Sequence, residues 1–212
     1  MTVATIYPDH LPESILNDPM RAAERIMYHA LSRMGDAFTI FYSVAWQSRS
    51  LAGNVRDGEA DFVIAHPELG MLVIEVKGGS IRFDGVSGQW YSGIHEIRDP
   101  VEQAKKSRYE LLRKLQDLPG WGDTWMTTGH AVAFQDIVVG NTDLKLDLPH
   151  EIILDGSSLE NIESEIRKIF NYYGSAGGKA GAPGRNRFEM IKKLLIRSFQ
   201  IRTPLGDRKS VV

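Results

Sequence analysis

The 212-residue chain contains no cysteine. Disulfides and thiol chemistry are therefore excluded, and the expected compartment is the cytoplasm. No apolar run approaches the ~20 residues that span a bilayer, and Met1 is not followed by a basic stretch leading into an apolar core, so neither membrane insertion nor secretion is expected. The six histidines are scattered, with no pair at ligand spacing, which argues against zinc. A nucleotide-binding P-loop is missing as well. Gly178-Lys179 hints at one, but Tyr173 stands where the motif needs glycine and Ala180 where it needs Ser or Thr.

A large charge of one sign is also lacking. The formal net charge is −2, which argues against nucleic-acid binding by bulk electrostatics. The distribution is uneven, however. From Lys179 to Lys209 nine Lys and Arg face only Glu189 and Asp207, which leaves +7 at this end and −9 before it. Such a basic end suits a polyanion, or docking on an acidic surface. With 42% hydrophobic and 25% charged residues, the chain has the composition of one well-buried domain with an appendage.

The most informative stretch is Gly58 to Gly79. Two apolar runs, Phe62 to Ala65 and Met71 to Ile74, flank His66-Pro67-Glu68-Leu69-Gly70, so the segment reads as an antiparallel hairpin. A loop centred on Glu68 places Asp61 opposite Glu75, and strand alternation puts Lys77 on the same face. Like charges so close repel unless a cation lies between them. A hard divalent ion takes carboxylate and carbonyl oxygens, and a nearby lysine can orient water or offset charge building on a phosphate. The bland alternative is a solvated strand end carrying an ordinary ion pair. The strand Met71 to Val76 is apolar on both faces, as a central buried strand is, which favours the metal-site reading.

Asp61 and, fourteen positions later, Glu75-Val76-Lys77 resemble the PD-(D/E)xK phosphodiesterase signature, with Ala60 where that name expects proline. Gly58-Glu59-Ala60-Asp61 and Val73-Ile74-Glu75-Val76-Lys77-Gly78 resemble the nuclease-related domain, NERD, over roughly Met20 to Leu118. The resemblance implies a nuclease that uses Mg2+ or Mn2+, acting on DNA more readily than RNA. Asp61, Glu75 and the Val76 carbonyl would hold the metal, and Lys77 would assist the chemistry. Glu24, on the first helix, would help bind metal; the plain alternative is a helix glutamate paired to Arg21 or Tyr28. Gln103, in a Pro-x-x-Gln-Ala context, would bond a phosphate oxygen or a metal-bound water without adding charge. Such domains are often joined to a helicase, so a helicase module in cis or in trans is an expected partner, and these residues are expected to front a longer protein. The rival expectation is a catalytically weak nucleic-acid-binding or partner-docking domain with the same fold.

In chain order, residues 1–18 read as an arm. Asp18 and Pro19 open a helix over 19–34, with an apolar stripe from Met20, Ala23, Ile26, Met27, Ala30, Leu31 and Met34. Phe38 to Trp46 reads as a strand, and Gln47 to Asp57 as a loop whose Arg49 and Arg56 are candidate phosphate contacts. Ser80 to Ile97 reads as small hairpins extending the sheet, with Trp90 and Tyr91 covering an apolar face rather than stacking on a base. Asp99-Pro100-Val101-Glu102 starts a helix to about Asp117, on which Lys105 and Lys106 are further candidate nucleic-acid contacts. Ala131 to Val139 and Glu151 to Leu154 read as strands, Ser157 to Tyr172 and Arg187 to Phe199 as helices, and Gly174 to Gly184 as a flexible connector. The expected class is α/β, a restriction-endonuclease-like αβββαβ core with a mixed central sheet and a C-terminal helical extension. The expected division is 1–18 arm, 19–156 nuclease domain and 157–212 helical extension.

Overall fold

A computed structural model describes residues 2–49, 55–123, 125–141, 143–176 and 181–200. In chain order the elements are β1 (Thr5–Tyr7), α1 (Glu13–Leu16), a 3-10 turn (Pro19–Arg21), α2 (Ala22–Leu31), β2 (Thr39–Arg49), β3 (Val55–His66) and β4 (Gly70–Lys77). There follow β5 (Ile81–Asp84), β6 (Gln89–Ser92), β7 (His95–Ile97), α3 (Pro100–Gln116), β8 (Thr128–Phe134), β9 (Ile153–Asp155), α4 (Ile162–Ala176) and α5 (Gly184–Gln200).

Six strands form one mixed sheet in the order β1-β2-β3-β4-β8-β9. The β2–β3 and β3–β4 pairs are antiparallel, whereas β1–β2, β4–β8 and β8–β9 are parallel. This is the expected α/β class, with the β3–β4 hairpin at the centre of the sheet. Strand β4 is buried from Gly70 through Val76, as its unbroken apolar run requires. Leu72 and Ile74 enter one core with α2 and α4, and Met71 and Val73 enter the other with Leu111, Leu115, Ile191 and Leu195. Gly70 starts the strand at φ +116, and a Cβ there would lie 2.0 Å from the Thr127 carbonyl oxygen, so only glycine fits.

Several boundaries differ from those read in the sequence. The arm is part of the sheet, since Thr5 to Tyr7 pair with Thr39 to Phe41. The first helix is shorter, and Met20 and Ile26 are exposed at 88% and 46%, because the Asp18 cap opens a 3-10 turn that shifts the phase of the stripe. The supposed loop 47–57 is strand on both sides, with Gln47 paired to Asp57 and Ser48 to Arg56; residues 50–54 lie outside the described residues. The segment after Gly79 does not extend the main sheet: β5, β6 and β7 form a separate three-stranded sheet, with Trp90 buried beneath it. On α3, Tyr109 is exposed at 60%. The strand expected over 131–139 runs instead from Thr128 to Phe134, and the one expected over 151–154 is a 3-10 turn followed by β9. Asp155, not Ser157, caps the turn that leads into α4. Helix α4 continues to Ala176, into the expected connector; Lys179 and the end from 201 onward lie outside the described residues.

Candidate active site

The predicted pairing is found in the ladder, which runs from His66↔Gly70 to Phe62↔Ile74. It stops there, one pair short of Asp61 and Glu75. Asp61 instead uses its side chain, with Oδ2 accepting the backbone N–H of Val76 at 2.7 Å. The carboxylate thus does the work of a missing strand carbonyl. Because N–H and C=O of one strand residue point to the same neighbour, the Val76 carbonyl faces the same side.

The other edge of β3 is interrupted at the same residue. The β2–β3 ladder skips one pair between Tyr42↔Phe62 and Val44↔Ala60, where Ser43 faces Asp61. Ser43 has φ 56, the one described non-glycine residue in the left-handed region. Its hydroxyl donates to Glu59 Oε1 in a short hydrogen bond. Both breaks free Asp61 from regular pairing and bring Glu59, two residues earlier on the strand, to the same side.

Glu75 is 2% exposed at its side chain, and Lys77 Nζ donates to its Oε1 at 2.6 Å. Its Oε2 is buried without a hydrogen-bond partner among the described residues. Burial raises the carboxyl pKa of Glu75, opposed by Lys77. Burial also raises that of Asp61, with the negative charge of Glu75 adding to it and Lys77 opposing it. Two buried carboxylates side by side both resist ionisation.

Glu24 lies on α2 and faces the same cleft. Arg21 Nη1 donates to its Oε2 at 2.9 Å, and Tyr42, buried in β2, donates its hydroxyl to the same oxygen at 2.6 Å. Burial and the adjacent Glu24 carboxylate raise the Tyr42 pKa, so the phenol stays protonated and remains a donor. From α3 comes Gln103, whose Oε1 is buried without a partner among the described residues. Asp99 fixes the start of that helix by accepting the N–H groups of Val101 and Glu102.

These groups line one cleft of about 1180 Å³, together with Trp46, Arg98, Lys106, Lys114 and Arg197. The Trp46 indole N–H donates to Ser107 at 3.0 Å, tying β2 to α3 at the floor. Gly58 lies flat on that ring, and a Cβ there would meet it at 2.3 Å.

The structure therefore brings together Glu24, Asp61, Glu75, Lys77, Gln103 and Lys106. Arg56 is exposed and does not line the cleft. Nor does Lys105, which turns to Asp147 at 2.9 Å and Glu102 at 3.3 Å. The side chain of Arg49 lies outside the described residues. Sequence reasoning missed Tyr42, Glu59, Ser43, Arg98, Lys114 and Arg197. The alternation Glu59, Asp61 was a usable signal, and so was the rule that a tyrosine inside a buried strand needs a partner for its hydroxyl.

The sequence profile of the nuclease-related domain, NERD, matches residues 20–139, more than half of the chain. The chain belongs to the nuclease-related domain family. The matched stretch runs through β8, past the Leu118 limit read from the motifs, and spans Asp61, Glu75, Lys77 and Gln103. No curated protein and no solved structure matches the chain. Strands β1 and β9 and helices α4 and α5 lie outside the NERD segment, yet the helices supply Ile166, Phe170, Ile191 and Leu195 to the two cores.

Proposed function

We propose that this NERD-family protein hydrolyses phosphodiester bonds of nucleic acid with the help of a divalent cation, magnesium or manganese. The observation that carries the reading is the convergence of Asp61, Glu75 and Lys77 in one cleft, with Glu75 Oε2 buried and unpartnered. A hard cation prefers an all-oxygen donor set, and this site offers one: the Asp61 and Glu75 carboxylates and the Val76 carbonyl. A buried oxygen without a partner is costly in a finished fold and is accounted for by a ligand. Glu24, held by Tyr42 and Arg21, would add a further carboxylate. When bound, such an ion polarises a phosphate oxygen and makes hydroxide available near neutral pH.

The chain's own residues then do three things. Lys77, anchored on Glu75, places a positive charge where negative charge grows on the phosphate, and it can orient the attacking water. Gln103 offers a neutral amide that bonds a phosphate oxygen or water without adding charge. The cations of the outer cleft hold the backbone in register. DNA is the proposed substrate ahead of RNA, the proposed compartment is the cytoplasm, and a helicase module in cis or in trans is the proposed partner.

The test is cleavage of labelled single-stranded, duplex and branched DNA, and of RNA, in magnesium, manganese or EDTA, with Glu75→Ala alongside. Metal-dependent cutting that vanishes in Glu75→Ala supports the proposal and identifies the substrate. Binding without cutting, at high protein excess and with a folded variant, would instead favour a binding or docking domain.

A further inference from the structure

Lys77 is the last residue of β4, and its partner Phe134 closes the ladder with β8. A strand end without further pairing frays, and a lysine on a frayed end drifts from its partner. The chain past Lys77 is instead tied on three sides. Gly78 offers its carbonyl to the Ser92 hydroxyl at 2.8 Å, and Gly79 gives its N–H to Asp136 Oδ2 at 2.5 Å. The third side is α2: a Cβ on Gly78 would lie 2.9 Å from the Ala23 Cβ, so glycine lets the strand end approach the helix this closely. Glu24 follows Ala23 on that helix, so the same contact sets how far it stands from the strand of Glu75.

Asp136 does not line the cleft. It follows Phe134 by two positions, in a turn closed by the Ile137 N–H on the Phe134 carbonyl at 3.4 Å. Gly156, directly after β9, locks that turn. Its N–H donates to the Ile137 carbonyl at 2.9 Å, and a Cβ on it would lie 2.7 Å from the Gln135 carbonyl oxygen. The Asp136 carboxylate is thus presented by a turn that is itself held at both ends. A hydrogen bond from a backbone N–H to a carboxylate is roughly twice as strong as one between neutral groups, so this tie outweighs the one from Ser92. The small sheet is seated at the same place, with Trp90 against Phe134 at 5.8 Å between ring centroids and Ser92 on the same strand.

We infer that Asp136 is a positioning residue for Lys77: by holding the Gly79 N–H it fixes the end of β4 and keeps the Lys77 ammonium on Glu75, inside the cleft. The inference rests on the proposed nuclease reading for what Lys77 does there, whereas the anchoring needs neither metal nor substrate. Lysine carries its charge on a flexible stem, so its head has a fixed place only if its root has one. A reacting group misplaced by about 1 Å can cost about 100-fold in rate, and the root of Lys77 has no further ladder to steady it. Asp136 acts through the backbone and touches none of the reacting atoms.

The experiment compares the parent with Asp136→Ala and with Asp136→Asn, which keeps an oxygen to accept the Gly79 N–H. Each protein is treated in EDTA with limiting acetic anhydride, and acetylation of every lysine is followed by peptide mass spectrometry. Lys77, held on Glu75, is expected to react slowly in the parent and several-fold faster in Asp136→Ala. Lys105, in its own ion pairs with Glu102 and Asp147, should react alike in all three proteins, and Asp136→Asn should match the parent at both lysines. Cleavage in magnesium is read separately: Asp136→Ala should lose about tenfold in kcat with KM within about twofold, and Asp136→Asn should recover most of it. Unchanged labelling of Lys77 in Asp136→Ala would overturn the inference. So would an equal rise at Lys77 and Lys105, the mark of a generally loosened fold, and so would an Asp136→Asn variant that behaves like Asp136→Ala. A parent that cuts no nucleic acid while Lys77 labelling shifts as expected sinks the hydrolytic reading and leaves the anchor standing. A parent that cuts, beside an Asp136→Ala variant that labels and cuts like it, does the reverse.

Discussion

Tyr42 donates its hydroxyl to Glu24 Oε2 at 2.6 Å from a position 2% exposed inside β2. With Arg21 on the same oxygen, this bond decides which way Glu24 faces. Groups that orient a ligand carboxylate commonly contribute 10- to 100-fold to metal affinity. Tyr42→Phe is expected to weaken manganese binding about tenfold by calorimetry, while costing only about 1 kcal/mol of stability in EDTA. Equal manganese affinity in the variant would show that Glu24 takes no part in holding the ion.

Asp61 is raised in pKa by burial and by the charge of Glu75, so its ionised form is a burden on the metal-free fold. Asparagine keeps an oxygen to accept the Val76 N–H and removes the charge. Asp61→Asn should therefore melt higher than the parent in EDTA, by about 1 kcal/mol or roughly 3 °C at this size, and should lose both cleavage and any stabilisation by magnesium. A lower melting point in EDTA would mean that the carboxylate is structural.

His130 gives a pH signature. The Tyr173 hydroxyl donates to the His130 carbonyl at 2.8 Å, so its lone pair receives the ring N–H at Nδ1, 2.9 Å away. That leaves Nε2 a buried acceptor with no partner among the described residues. Burial, with Arg108 and Lys105 nearby, lowers the imidazole pKa from 6.5 to about 3. The folded state thus resists a proton that the unfolded state accepts. This contribution is fully present above pH ~6.5 and is lost as pH falls from there toward 3. Urea titrations of the parent and His130→Asn, from neutral pH to pH ~5, should diverge by up to about 1.4 kcal/mol per pH unit, with the parent losing more. Parallel curves would place the proton elsewhere.

The packing of α5 is tested by Leu195→Ala. Leu195 is fully buried against β2, β3 and α3. Truncation should cost about 2–5 kcal/mol in chemical denaturation. A loss below 1 kcal/mol would show that the helix is only loosely attached.

The candidate pair was legible because Pro67 and Gly70 fix the turn, the turn fixes the register, and period-2 alternation then carries Asp61, Glu75 and Lys77 to one place. What turns that register into a site was not legible. Ser43 looks like any polar residue in a strand, and its positive φ follows from the break opposite Asp61, which is a tertiary fact. Tyr42 looks like core. Its hydroxyl partner is eighteen residues away on a helix, beyond the reach of local pattern. Lys105 and Lys106 are indistinguishable as neighbours in sequence, yet a helix turns them about 100° apart, so one meets Asp147 and the other the cleft. The strand character of Gln47–Arg49 and Val55–Asp57 was hidden because polar residues were read as loop, whereas cross-strand pairing sustains them.

The stretch shared with the family and the body that folds are different objects. Residues 20–139 carry Asp61, Glu75 and Lys77, but two of the four helices that cover the faces of their sheet, α4 and α5, come later, and the strand at one edge comes earlier. Excising the shared segment would carry off the candidate site and strip its sheet of part of both cores. The ends of a recognisable motif are therefore poor places to cut this protein, and grafting its chemistry onto another scaffold would mean moving parts of the chain that bear no trace of it.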